Sequence, residues 1–139
     1  MAEIKISELS IGDWISDKNG IAAQVRGIEC WSDGYVVNVR TKAGTITNLT
    51  VGGVLPIPLL PKILEKNGFR KLDRFNEYVI GEWDSNPFIA VRLAEKFVEP
   101  TILVKNGGTS THLFGSRGVN VHQLQHALRL AGVGKEIEV

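Results

Sequence analysis

The sequence has a single cysteine, Cys30, in 139 residues. An internal disulfide is therefore excluded, and so is a zinc site built from cysteines alone. So little thiol fits a reducing, intracellular setting, and a cytoplasmic location is expected. An excess of charge is also lacking: 16 Lys and Arg against 15 Asp and Glu leave a formal net charge of +1. That balance gives no general attraction to nucleic acid or to an anionic membrane, although a local patch is compatible with it. Long apolar runs are missing too. "VLPIPLL" falls far short of a membrane span and is broken by Pro56 and Pro58. In "MAEIKISELSIGDW", Glu3, Lys5 and Glu8 stand where a secretory leader needs an apolar stretch, so no export signal is expected. There is no internal repeat, no low-complexity segment, no Gly-Lys-Ser/Thr phosphate loop and no evident Ser-His-Asp or Cys-His arrangement.

What is present suits a small globular protein. Hydrophobic residues make up 43% and charged residues 22%, enough for a core without disulfides or metals. The length fits one compact domain or two very small ones. Residues 1–58 predict short antiparallel strands. "EIKISELSIGDWISD" alternates and reaches a turn at Gly12-Asp13 before a strand, and "GIAAQVRGIEC" and "GYVVNVRT" are β-branched and alternating. Asp33-Gly34 between them is a hairpin signal, and Ala43-Gly44 leads to "TITNLTV". Strands at this spacing predict a small SH3-like barrel, with an open meander as the alternative.

Residues 59–139 predict an α-β-β-β-β-α unit, an antiparallel sheet with a short helix before it and a C-terminal helix packed on it. Pro61 suits the first position of the short helix, and Gly68 ends it so that Phe69 folds back on Ile63 or Leu64. "EYVIGEWD", "FIAVRLAE", "TILVKN" and "THLFGS" are the strands, with Asn86-Pro87 and Asn106-Gly107 as turns. The overall class is α+β, mainly β.

"VNVHQLQHALRLAG" carries the clearest local pattern. Asn120 is an N-cap, and Gln123 three residues later completes a capping box. Gly132 terminates the helix, with Val133 closing it. At ~100° per residue, Val121, Leu124, Ala127, Leu128 and Ala131 share an arc that should face the core. His122, His126 and Arg129 fall opposite, on a polar face available to a partner. The histidine spacing is that of H-E-x-x-H zinc proteases, but Gln123 replaces the glutamate that would act as general base. His112 is the remaining candidate for a third ligand. The balance favours no metal and no cofactor.

Other candidate sites each have a plainer reading. Glu82 and Asp84 share a strand face and could run acid–base chemistry, or simply be solvated near a turn; Trp83 would then point into the core. "KNGGTSTHLFGSRG" with Arg117 could hold an anion at the last helix's N-terminus, or be a hairpin and a loop. Lys62, Lys66, Arg70, Lys71 and Arg74 form a local basic cluster for nucleic acid or an acidic partner, or a solvated face. Trp31 and Tyr35 flank the first hairpin turn, either as a protein-binding hot spot or as cross-strand packing. Trp14 should be core. Cys30 lies at a strand end with no histidine near it in sequence, which suits a structural thiol.

At "PIPLLPKILEKNGF" and "VHQLQHALRLAG" the chain resembles a group of uncharacterised small proteins of phages and integrated elements of gut bacteria. Those share an "IGDW"-like start and a short tail like "GKEIEV", and the likeness covers most of the length. Leu60 stands where that group would have a Thr cap. The resemblance implies an accessory protein of a mobile element and brings no catalytic residues with it. The expected function is a non-enzymatic protein-interaction module with a protein partner or self-association. Nucleic-acid binding through the Lys62–Arg74 patch is the alternative, and a small metal-dependent hydrolase the third reading.

Overall fold

The computed structural model describes residues 3–50, 52–73, 76–115 and 118–139, and the chain divides into two compact units between Ile57 and Pro58. In the first unit the predicted opening strand is replaced by a 3-10 turn at Ile6–Glu8. Strands β1 (Trp14–Ser16), β2 (Ala22–Trp31), β3 (Gly34–Thr41) and β4 (Ile46–Thr50) follow as an antiparallel meander in sequence order. The sheet curls into a half-barrel. An isolated bridge between Ser16 and Leu55 adds to the outer edge of β1.

The core is set by alternation and by one interruption of it. Ile15, Ala23, Val25, Val37 and Val39 face inward and pack with Ile4, Leu9 and Val54. Val25 pairs with Val39, but Gly27 pairs with Asn38, so Arg26 is an extra residue in β2. A bulge of this kind shifts the side-chain period by one. It lets Ile28, rather than Gly27, pair with Val37 and pack on the core. On the outer face the Arg26 guanidinium donates to Asn38, and the Asn38 amide donates to Asn48.

The "IGDW" stretch is a corner. Gly12 takes φ 94°, and buried Asp13 accepts the Ser10 N–H at 2.8 Å through its carboxylate. The Gly12 N–H donates to the Val25 carbonyl and the Val25 N–H to the Asp13 carbonyl, fastening the corner to β2. Trp14, expected in the core, is half-buried.

The second unit contains α1 (Pro61–Lys66), β5 (Arg70–Lys71), β6 (Glu77–Ile80), β7 (Phe88–Arg92), β8 (Thr101–Asn106), β9 (Thr109–Phe114) and α2 (Val121–Leu130). The five strands form one antiparallel sheet in sequence order. Pro61 occupies the first turn of α1, as its missing N–H favours. Both helices end alike. Phe69 N–H donates to the Leu64 carbonyl and Gly68 N–H to Glu65; Val133 N–H donates to Leu128 and Gly132 N–H to Arg129. With Gly68 at φ 87° and Gly132 at φ 73°, these are Schellman closures. The capping box forms at the start of α2, where the Gln123 side chain accepts the Asn120 N–H at 2.9 Å.

The two-residue turns sit one position from where they were expected. Trp31 pairs with Gly34, so Ser32 and Asp33 are the central residues of the first hairpin and Gly34 takes the positive φ, 140°. Asn106 pairs with Thr109, so Gly107 and Gly108 form the second, with Gly107 at φ 61° as a type II′ turn requires.

Asn67 follows α1 and is buried. Its side-chain amide donates to the Ile63 and Glu138 carbonyls, both at 2.7 Å, while its oxygen accepts the Glu138 N–H at 2.8 Å. The final residues are thereby fixed beside α1, with Ile137 buried.

Two predictions test these fastenings. Asp13→Ala leaves the Ser10 N–H without its carboxylate acceptor and should cost about 1–3 kcal/mol in urea unfolding. Asn67→Ala should cost a similar ~1–3 kcal/mol and speed hydrogen exchange at the Glu138 amide, while Asn67→Gln should restore neither.

Candidate functional site

Alternation across the second sheet decides what each face carries. Tyr78 and Ile80 on β6, Ile89 and Val91 on β7, and Ile102 and Val104 on β8 point to one side. The buried face of α2, formed by Val121, Leu124, Ala127 and Leu128, covers that side against β8 and β9. Among the described residues no helix covers the other side. Val79, Phe88 and Ala90 form a small buried cluster there, with Leu72 and Leu103 packed against it.

That open side is concave, with a cavity of about 610 Å³ running from Arg70 on β5 to Phe114 on β9. The volume lies in the range of ligand-binding clefts. Its floor is the Val79–Phe88–Ala90–Leu103 cluster, and its rim is aromatic and charged. Trp83 is 65% exposed and meets Phe88 edge-on, with ring centroids 5.5 Å apart. Lys105 places its Nζ 3.8 Å from the centre of the Trp83 ring, a cation–π contact. Opposite, His112 stacks on Phe114 at 4.3 Å, and Phe114 is 60% exposed. Arg70 pairs with Glu82 at 3.1 Å and Arg92 approaches Glu77 at 3.7 Å.

The loop that presents Trp83 is closely determined. Gly81 has φ 82°, and a Cβ there would lie 2.5 Å from Ser85 Oγ and 2.7 Å from the Pro87 carbonyl. The Ser85 hydroxyl accepts the Glu82 N–H and donates to the Glu82 carbonyl. Asn86 accepts the Gly107 N–H at 2.9 Å, tying this loop to the β8–β9 turn. Trp83 was expected in the core on a continuing strand. Instead β6 ends at Ile80, and Glu82 and Asp84 lie in the turn rather than sharing a strand face.

The sequence-predicted residues are distributed as follows. His122 is 3% exposed rather than on an open polar face. The two residues just before α2 are bonded by another segment: Leu59 N–H donates to the Val119 carbonyl and Pro58 bridges Asn120. His126 is half-buried, its ring 5.8 Å from that of His122, and Arg129 is exposed. His112 lies on β9 in the groove, and among the described residues no three His, Cys, Asp or Glu side chains gather as a metal cradle.

Of the basic cluster, Lys66 donates to the Val139 carbonyl and Arg70 to Glu82, while Lys62 and Lys71 are exposed. Arg74 and Arg117 lie outside the described residues. In the first unit Trp31 is 59% exposed and Tyr35 is exposed too. Trp31 pairs with Gly34 and Tyr35 with Cys30, so the two rings stand on opposite faces of the ribbon. They do not form one patch. Among the described residues no helix is long and apolar enough to cross a membrane.

Compared with protein-family models, with curated proteins and with solved structures, the chain matches none.

Rim and floor should separate in stability measurements. Phe88→Ala removes a buried ring and should cost about 3–5 kcal/mol. Trp83→Ala and Phe114→Ala should stay within ~1 kcal/mol, as read by thermal or urea unfolding of each variant.

Proposed function

We propose that this chain is a non-enzymatic protein-interaction module that docks its partner in the groove on the open face of the second sheet. The observation that carries the reading is a concave face with a buried apolar floor, set between the exposed Trp83 ring on one side and exposed His112 and Phe114 on the other. Exposed aromatics around a partly filled apolar depression are the usual anchors of protein recognition. The ionisable groups of the groove engage one another or stack on rings, which suits binding better than proton transfer. An accessory role in a mobile element, implied by the likeness of its two motifs to such proteins, is compatible with a module of this kind.

The nucleic-acid alternative has less to draw on. Two of its cations, Lys66 and Arg70, already have oxygen partners within the unit.

The test is capture of partners from native host cells with the wild-type chain and with Phe114→Asp, followed by titration of the purified partner. The reading expects a partner whose affinity falls at least about tenfold in the variant. Equal affinity for wild type and Phe114→Asp would refute the groove as the docking site. A salt-dependent gel shift abolished by reversing Lys66 and Arg70 would instead support nucleic-acid binding.

A further inference from the structure

We propose that β9 takes up an acidic, extended segment of a partner protein as a sixth strand, so that alternate side chains of that segment enter the groove. The proposal rests on the groove being the docking site and specifies what occupies it.

β9 is the edge of its sheet and pairs with β8 in unbroken register over six residues, "TSTHLF". Natural edges are commonly protected by proline, lysine or a bulge, and β9 has none of these. The Gly107–Gly108 turn makes Asn106 and Thr109 a hydrogen-bonded pair. Bonded and non-bonded pairs alternate from there, so Ser110, His112 and Phe114 direct their N–H and C=O groups away from β8. Among the described residues no backbone bond reaches those outer groups. His112 and Phe114 also line the groove, and Ser110 shares their face. An incoming strand bonded to these positions therefore places its own opposing residues on the groove side.

The sign of charge selects the segment. From Pro100 to Lys135 the sequence has no Asp or Glu, and β8, β9 and α2 all lie within that stretch. The groove's two acids, Glu77 and Glu82, already face Arg92 and Arg70. Lys105, the cation beside β9, lies over the Trp83 ring and donates to the Trp83 carbonyl at 3.5 Å, and among the described residues no carboxylate faces it. Carboxylates on the added strand would complement it. A second copy of this edge would bring a second Lys105 and no carboxylate, which disfavours self-pairing. A nucleic acid matches the charge but has no alternating N–H and C=O groups to offer an edge.

The test uses the full ¹⁵N-labelled chain and a capped probe peptide of about ten residues, alternating Glu and Val with one central Phe. Two control peptides carry Lys for Glu, or N-methyl groups at alternate backbone nitrogens. The acidic peptide should slow amide exchange at Ser110, His112 and Phe114, and both controls should bind at least about tenfold more weakly. His112→Pro removes an outward N–H while sparing the β8 ladder, and should weaken binding about tenfold. Lys105→Glu leaves the backbone unchanged and should weaken it about threefold, more at low salt.

If the peptide perturbs Ala90 and Leu103 but leaves β9 exchange and the His112→Pro affinity unchanged, strand addition is wrong and the groove reading stands. Equal binding of the Lys peptide, or displacement by a single-stranded oligonucleotide, overturns the choice of an acidic polypeptide. Absence of any binding by the acidic probe also refutes strand addition. The groove itself is judged separately, by the effect of Phe114→Asp on the captured partner.

Discussion

Strand β7 buries four consecutive residues, Phe88, Ile89, Ala90 and Val91, and a single helix can cover one face of a sheet. Ile89 and Val91 share with Ile102 and Val104 the face that α2 covers, and are fully enclosed. Phe88 and Ala90 must be shielded by whatever the strands themselves carry. Long side chains do this from the edges: the Trp83 ring leans on Phe88, and the Arg70–Glu82 and Arg92–Glu77 pairs border the floor. The exposed Arg70–Glu82 pair contributes little stability. The consequence of these side chains is geometric, since shielding from the rim leaves the middle hollow. The concavity thus follows from a strand apolar on both faces of a sheet that α2 covers on one face.

The rest of the second unit holds that sheet in place through its chain ends and turns. Two Schellman closures, at Gly68 and Gly132, stop the helices where the chain must reverse. Asn67, just before the first of them, uses both ends of its amide on Glu138 and so recruits the final segment to α1. Asn106 acts similarly, donating to the Ala131 carbonyl at 2.9 Å and linking the β8–β9 turn to the end of α2. Polar side chains beside turns satisfy backbone groups that would otherwise be left unpaired by the irregular chain.

Local chemistry was legible in the sequence and long-range neighbours were not. Pro61, Gly68, Asn120, Gln123 and Gly132 act through groups within a few residues of themselves, and both helices begin and end where those residues indicate. Turn position was less legible. Asp33-Gly34 reads as a central pair needing positive φ, whereas Ser32 and Asp33 take ordinary conformations and Gly34 alone has the unusual φ. His122 was misplaced because a helical wheel assumes one buried side; the start of α2 is also approached by Pro58 and Leu59, over sixty residues away, which bond Asn120 and Val119. The outward Trp83 had a signal in Gly81, which ends the alternation of "EYVI". The groove itself depends on the register of β6 through β9, and its nearest trace in the sequence is the unbroken apolar run of "FIAV".

The extra residue Arg26 reaches well beyond its own pairing. Every side chain of β2 after it is turned over relative to a regular ribbon, so Glu29 and Trp31 stand on the outside of the half-barrel and Ile28 on the inside. Which chemistry the hairpin tip displays is therefore settled by a miscount five residues earlier. Bring Arg26 into regular pairing, and the indole trades places with the thiol of Cys30 although no residue of the tip has changed.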